Sequence, residues 1–325
     1  MLRAHGRYVA LGVALGLAAG LVVGALIGRA RGVPFVSERR DWAIGIYEGA
    51  SPAELRPAQG ARNPVLTAQD VSDLDAESVC DPFLVQRDGL WHMFFEVLER
   101  TTNIKRIGLA TSPDALAWVY RGIALAEPFD VSYPHVFEWE GVHYMLPETP
   151  GSRSLRLYRA AEFPTRWELV ATLLEGAPFA APTLFRFEGR WWLFTGAGRH
   201  DILRLFHADQ LTGPWVEHPQ SPLIWEDPER ARPAGRVVLV EGRPVRFAQD
   251  CRPAYGSAVR AFVVEELTPE RYRERALTDA PVLAGSGAGW NAGGMHHADL
   301  HPRPEGGWVA AVDGWRQVRV FGLGH

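Results

Sequence analysis

One hairpin unit recurs along the chain in a fixed register. It reads DPFLVQRDGLWHMFFE from Asp81, YPHVFEWEGVHYMLPE from Tyr133 and APTLFRFEGRWWLFTG from Ala181. In each copy a proline stands seven residues before a glycine, at Pro82/Gly89, Pro134/Gly141 and Pro182/Gly189. An apolar, aromatic-rich run flanks each glycine. Repeats of roughly 50 residues with β character specify radial arrays or solenoids, because one unit cannot bury its faces alone.

A second repeat runs out of phase with the first. IGLATSPDALAW, LRLYRAAEFPTRW and LRLFHADQLTGPW place Trp118, Trp167 and Trp215 at intervals of 49 and 48. VRAFVVEELTPERY, ending at Tyr272, is a looser copy, and VRVFGLGH at the C-terminus resembles a truncated one. The first unit supplies two strands and the second at least one more, which is the makeup of a four-stranded propeller blade.

A fourth hairpin, RPAGRVVLVEGRPVRFAQD from Arg232, is two residues longer between Pro233 and Gly242, and a degenerate fifth begins at His297. The expected fold is an all-β, five-bladed β-propeller over residues 35–325. WAIGIYEGASPAEL from Trp42 resembles IGLATSPDAL and is expected to close the ring by joining the last blade, removing a free sheet edge. A β-sandwich or a two-domain β protein is the alternative, against which the fixed register argues. Twelve Trp and fifteen Phe suffice to fill the spaces between blades.

Residues 1–34 read as a membrane anchor. Tyr8 to Ile27 carries no charge, and twenty apolar residues span a bilayer, giving a transmembrane helix over about 8–28. Gly12, Gly16, Gly20, Gly24 and Gly28 would form one smooth face able to self-associate. A cleaved signal peptide is the rival, with a shorter apolar core and Ala30 at a weak cleavage point. A single N-terminal anchor before a large domain places the propeller on the extracytosolic side. A net charge of −4 gives no basic footprint for nucleic acid. Lys105 stands alone against 33 Arg, and two cysteines, Cys80 and Cys251, are too few to fix a redox compartment.

Hairpin register suggests where chemistry sits. Asp88-Gly89 favours a type I′ turn, in which residues equidistant from the centre face each other. Asp81 then opposes Glu96, Tyr133 opposes Glu148 and Ala181 opposes Gly196. Two facing carboxylates repel, so one holds its proton to higher pH. Asp81, Glu96, Tyr133, Glu148, Arg232 and Asp250 all fall at open hairpin ends and are expected to converge on one funnel. RFAQDCRPAYGSAVRAF, from Arg246, adds Gln249, Asp250, Arg252 and Tyr255 as sugar-binding candidates, with Asp250–Arg252 pairing as the plainer reading. GMHHAD brings His296, His297 and Asp299, and His296 or His297 is a candidate to hold a channel ion or a water, with a hydrogen-bonded histidine beneath the aromatic ring of the funnel as the alternative. C-x-x-C, H-E-x-x-H, G-x-S-x-G and phosphate-loop patterns are all missing from the sequence, and no metal or other cofactor is assigned.

The blade-start Asp-Pro, the D-G hairpin ending in W-x-M-F-F and the S-x-D-x-L-x-W strand resemble the five-bladed propellers of glycoside hydrolase families 43, 32 and 68. More closely, EPFDVSYPHVFEWEGVHYMLPET, WWLFTG, ARPAGRV, RFAQDC and GMHHAD resemble the N-terminal domain of plant glucosamine inositolphosphorylceramide transferases and its bacterial stand-alone relatives. In the plant proteins that propeller precedes a separate glycosyltransferase domain, so transferase activity does not carry over to this chain. The hydrolase resemblance implies three carboxylates at successive blade starts. Asp81 matches the base or nucleophile, but Tyr133 and Ala181 occupy the other two positions. Glu148 is the expected substitute acid, with Glu96 tuning Asp81. Tyr133, Arg232, Gln249, Asp250, Arg252, His297 and Asp299 are the expected substrate-binding residues. The implied partner is a glycan or glycolipid, which the chain either processes or binds without turnover as an accessory module of envelope assembly. A protein-interaction scaffold is a third reading.

Overall fold

The computed structural model describes residues 36–321, together with Gly16, Leu17 and Gly20. Five antiparallel sheets follow one another around a ring. Blade I comprises Ala76–Arg87, Leu90–Glu99, Lys105–Ser112 and Val119–Leu125. Blade II comprises Ser132–Trp139, Val142–Glu148, Ser154–Glu162 and Arg166–Glu175. Blade III comprises Ala180–Phe187, Arg190–Ala197, Ile202–Ala208 and Val216–Glu217. Blade IV comprises Val238–Val240, Arg243–Asp250, Ala258–Leu267 and Tyr272–Ala276, with Leu283–Ala284 on the third strand. Blade V pairs Ala298–Pro302 and Trp308–Phe321 with Val36–Gly49 and Arg56–Pro57, so the strand holding Trp42 closes the ring as expected.

Both faces of each blade are buried, which explains the nearly continuous apolar runs in the sequence. Five apolar wedges result, one per neighbouring pair of blades. Leu84 and Met93 of blade I pack with Ile44 and Val309 of blade V. Phe83 and Phe94 of blade I meet Met145 and Tyr158 of blade II. Leu146 and Leu155 meet Leu184 and Trp191, Phe185 and Trp192 meet Val237 and Val264, and Phe247 and Val259 meet Leu300 and Val312. A sandwich would have a single core, so five wedges dispose of that alternative.

Four hairpins turn on two residues with positive φ, namely Asp88-Gly89, Glu140-Gly141, Glu188-Gly189 and Glu241-Gly242, the signature of type I′. The second repeat marks the connection to each outer strand. There Trp118 Nε1 donates to the carbonyl of Ala115, and Trp167 Nε1 to that of Pro164, three residues upstream in both cases. In blade IV the two extra residues interrupt pairing between Pro233 and Val238.

Asp41–Arg316 forms one compact unit. In the other, Glu38 accepts from Gln317 and Arg319. Apart from helical Gly16, Leu17 and Gly20, the span expected over 8–28 lies outside the described residues, among which no helix is long and apolar enough to cross a membrane. Neither Cys80 nor Cys251 is joined in a disulfide.

Candidate functional site at the ring mouth

The hairpin arithmetic holds up to the last pair and then fails in the same way three times. Phe83 faces Phe94 as the turn dictates, but the register then slips and Cys80, not Asp81, faces Glu96. Ser132 rather than Tyr133 faces Glu148, and Ala180 rather than Ala181 faces Gly196. The extra residue in each case is the one before the proline, with φ of 52° at Asp81, 48° at Tyr133 and 47° at Ala181. A β-bulge of this kind re-aims a side chain. Since Ala181 shares the strained conformation, the strain belongs to the blade start and not to chemistry.

At Asp81 the bulge turns the carboxyl toward blade V. The Asp81 backbone N–H donates to Asp313 Oδ2 at 2.8 Å. Its Oδ1 lies 3.5 Å from His297 Nδ1 and 3.9 Å from His296 Nε2. Burial pushes Asp81 up to about 7, against the pull of His296 and with the help of Glu96 and Asp313. His296 Nδ1 contacts Asp313 Oδ1 at 2.7 Å. Burial disfavours the charge on His296, yet Asp313 more than offsets this and raises it above the ordinary histidine value, while Asp313 itself is lowered. His297 is fully buried, and burial lowers it to about 4.

The remaining expected residues divide into two groups. Glu96 and Glu148 do lie at the mouth, but each is neutralised. Glu96 pairs with Lys105 Nζ at 3.1 Å. Glu148 accepts from the Ala181 N–H at 2.7 Å and pairs with Arg232 at 3.0 Å, tying blades II, III and IV together. Arg232 also contacts His200 Nδ1 at 3.1 Å. Tyr255 stands edge-on to His296, and Trp42 packs against the same ring at a centroid distance of 4.2 Å. An aromatic wall with a few fixed polar groups is what a small-ligand site requires.

The others are structural. Tyr133 is buried in the shaft, where its hydroxyl accepts the Gly235 N–H at 2.7 Å and contacts Thr183 Oγ1 at 2.8 Å. Asp299 is buried below, held by the Leu84 N–H, Arg236 and His301, and this cation-rich setting outweighs burial and lowers it far below the usual carboxylate range. Gln249 is buried and donates to the carbonyl of Pro233. Asp250 accepts from Arg260 Nε at 2.9 Å and from the backbone N–H of Arg252 at 3.0 Å, while the exposed Arg252 side chain reaches Glu229 instead. His297 is sealed and reaches no ligand directly.

Sequence reasoning missed Asp313, Lys105, His200, Trp42 and Arg236. Asp313 was within reach, since Ala298 pairs with Val312 and the same register sets Asp313 opposite His297. Arg236 spans the shaft to the carbonyls of Leu84 and Val136, at 3.1 and 3.0 Å, contacts that no local pattern encodes. A cavity of about 240 Å³ lined by Phe137, Trp139, Trp191, Arg236 and Leu239 opens near the hairpin turns, away from the mouth.

Two donor sets, Cys80–His296–Asp313 and Cys80–Asp81–Glu96, each gather ligand-type atoms within 4.8 Å. Burial, then Glu96 and Asp81, raise the Cys80 thiol well above its ordinary value, so it stands as neutral S–H. Asp313 and Glu96 are already bound to His296 and Lys105, so both sets are neutralised from within.

The fold is that of a five-bladed β-propeller. Solved structures of similar shape include an exo-β-1,3-galactanase from Clostridium thermocellum (TM-score 0.55, 14% identity, covering 71% of this chain and 59% of that one). Another comes from a study of the GH130 family of mannoside phosphorylases, which contains glycoside hydrolases that target β-1,2 mannosidic linkages (TM-score 0.58, 14% identity, 84% and 94%). At that identity they show the fold alone. Residues 36–315 match the family described as Glucosamine inositolphosphorylceramide transferase 1, N-terminal, and the chain belongs to it. Glucosamine inositolphosphorylceramide transferase 1 of Oryza sativa subsp. japonica is 39% identical over 299 residues, covering 85% of this chain and 40% of that protein. The Arabidopsis thaliana protein of the same name is 33% identical over 298 residues, covering 85% and 39%. The chain thus spans about two fifths of the curated relatives it matches.

Proposed function

We propose that the chain is a membrane-anchored, carbohydrate-recognising propeller, with the extracytosolic mouth bounded by Asp81, Glu148, Arg232, Tyr255, His296 and Trp42 as its glycan or glycolipid site. The observation that carries this reading is the state of the carboxyls. Glu96, Glu148 and Asp313 each have a basic partner, in Lys105, Arg232 and His296, which leaves Asp81, among the described residues, as the mouth carboxyl without a dedicated one. Glycoside hydrolysis calls on two carboxyl groups working as a pair. A single unengaged carboxyl beside an aromatic wall favours recognition. The anchor, its self-association and its orientation rest on the apolar run from Tyr8 to Ile27 and its glycine spacing.

Processing is the second reading, favoured by the position of Asp81 at the start of blade I. A screen of glycans and glycolipids on the full chain in detergent, with retention and released sugar measured together, separates the two. Retention without release, weakened in Trp42→Ala and Arg232→Met, is the expected result. Sugar release abolished in Asp81→Asn would install the enzyme reading. Absence of retention for every class would remove both. Membrane fractionation and protease protection test the anchor and its orientation.

A further inference from the structure

Two buried acceptor atoms face each other at the mouth. Asp81 Oδ1 and His297 Nδ1 lie 3.5 Å apart, and each is closed to water and without a hydrogen-bond partner. The tautomer of His297 is set from its other side. Nε2 lies 3.0 Å from the carbonyl of Pro82, an oxygen that only accepts. Nε2 therefore carries hydrogen, and in the neutral ring Nδ1 is a bare lone pair. A carboxylate oxygen opposite it would leave two buried acceptors unsatisfied, at about 1–3 kcal/mol each. His135 shows how a comparable ring is completed, since its Nδ1 accepts the Leu184 N–H at 3.1 Å. His297 has only Asp81 in that place.

Charge accounting leads to the same point. Glu96 has Lys105, Glu148 has Arg232 and Asp313 has His296. His296 stands 3.9 Å from Asp81 but is already engaged by Asp313 at 2.7 Å. An ionised Asp81 would be a buried charge that the shared His296 and Lys105 compensate only in part, an expensive state that a bound proton relieves.

We infer that Asp81 is a neutral carboxylic acid whose O–H donates to His297 Nδ1. The proton is then held between Asp81 and His297, so in the ligand-free protein the blade I carboxyl is not the ionised base or nucleophile its place suggests, and His297 is the positioning residue that fixes it. A small rotation of the carboxyl brings the pair into hydrogen-bonding range. The groups around Asp81 are Cys80, Glu96 and Lys105 from blade I, Tyr133 from blade II, Arg232 and Tyr255 from blade IV, and His296, His297 and Asp313 from blade V. The upward push on Asp81 and the downward push on His297 agree with this assignment. The assignment describes the ligand-free protein, so it stands or fails separately from the glycan reading.

Difference infrared spectroscopy of the full chain tests it. At about pH 5 to 6 the wild type should show the carbonyl stretch of a protonated buried carboxyl, sensitive to deuterium exchange and lost in Asp81→Asn. The band should fade as the pH passes about 7. His297→Phe should shift the band to the frequency of an unbonded acid, whereas a purely structural histidine would leave it in place. Should that variant fail to fold, ¹⁵N spectra of the wild type serve instead, with Nε2 protonated and Nδ1 bare at about pH 6 as the expected result. An unchanged band in Asp81→Asn, a doubly protonated His297 ring, or a stoichiometric copurifying metal by elemental analysis would each overturn the inference.

Discussion

The Asp81 backbone N–H and the Asp313 carboxylate join the first blade to the last across 232 residues of sequence, at 2.8 Å. Asp313 also accepts from the His296 backbone N–H at 3.2 Å, so one buried carboxylate fixes both the strained blade start and the histidine beside it. Ring closure and site assembly are therefore one event. The mouth exists only when blade V has closed on blade I.

Asp81 couples the stability of the fold to pH. Its folded value of about 7 lies above the ordinary 3.8, so the folded protein holds an extra proton between those limits. The contribution to stability is full below the ordinary value and is lost as pH rises through about 7. Asp81→Asn presents an amide N–H to His297 in place of the acid proton and does not titrate. Its stability relative to wild type should improve by roughly 2–4 kcal/mol between about pH 4 and pH 8. Parallel urea midpoints for the two proteins across that range would refute the linkage.

Tyr133→Phe removes the hydroxyl that joins Thr183 to Gly235 in the shaft. A loss of about 1–3 kcal/mol is expected by denaturant unfolding, with glycan retention unchanged because the residue is sealed. Weakened retention in a fully folded variant would return Tyr133 to the binding surface.

Arg236→Met leaves Asp299 buried with only the Leu84 N–H and His301 for support. Uncompensated buried charge of this kind costs about 3–5 kcal/mol. Arg236→Lys should recover part of that, since a point charge cannot reach Asp299 and two carbonyls at once. Equal midpoints for wild type and the Met variant would contradict the clamp.

Gly235→Ala should fail to give a folded ring. The residue has φ of +127°, and an added Cβ would lie 2.0 Å from the carbonyl oxygen of Ala298. Backbone strain and overlap together place the expected loss above about 4 kcal/mol. A soluble variant with a near-native melting temperature would show that blades IV and V can part locally.

Much of the architecture was present in the order of residues. The Pro-to-Gly spacing set the hairpins and their I′ turns, the Trp spacing set the outer strands, and the blade count followed. These are local features, governed by φ preferences and by alternation along single strands. Candidate residues were legible only to the extent that they were local as well. Asp81, Glu96, Glu148 and Arg232 reached the mouth, whereas Tyr133, Gln249, Asp250, Asp299 and His297 turned into the protein.

The difference arises from one residue per blade. Sequence alone determined which strands pair and where each turn lies, because those choices are made between neighbours. Only the closed ring decided which way the blade starts point. A bulge before Pro82, Pro134 and Pro182 shifts each start by one position, and a shift of one reverses the face a side chain occupies. What lies beyond that face, whether Asp313 for Asp81 or Gly235 for Tyr133, comes from another blade and is set by tertiary packing.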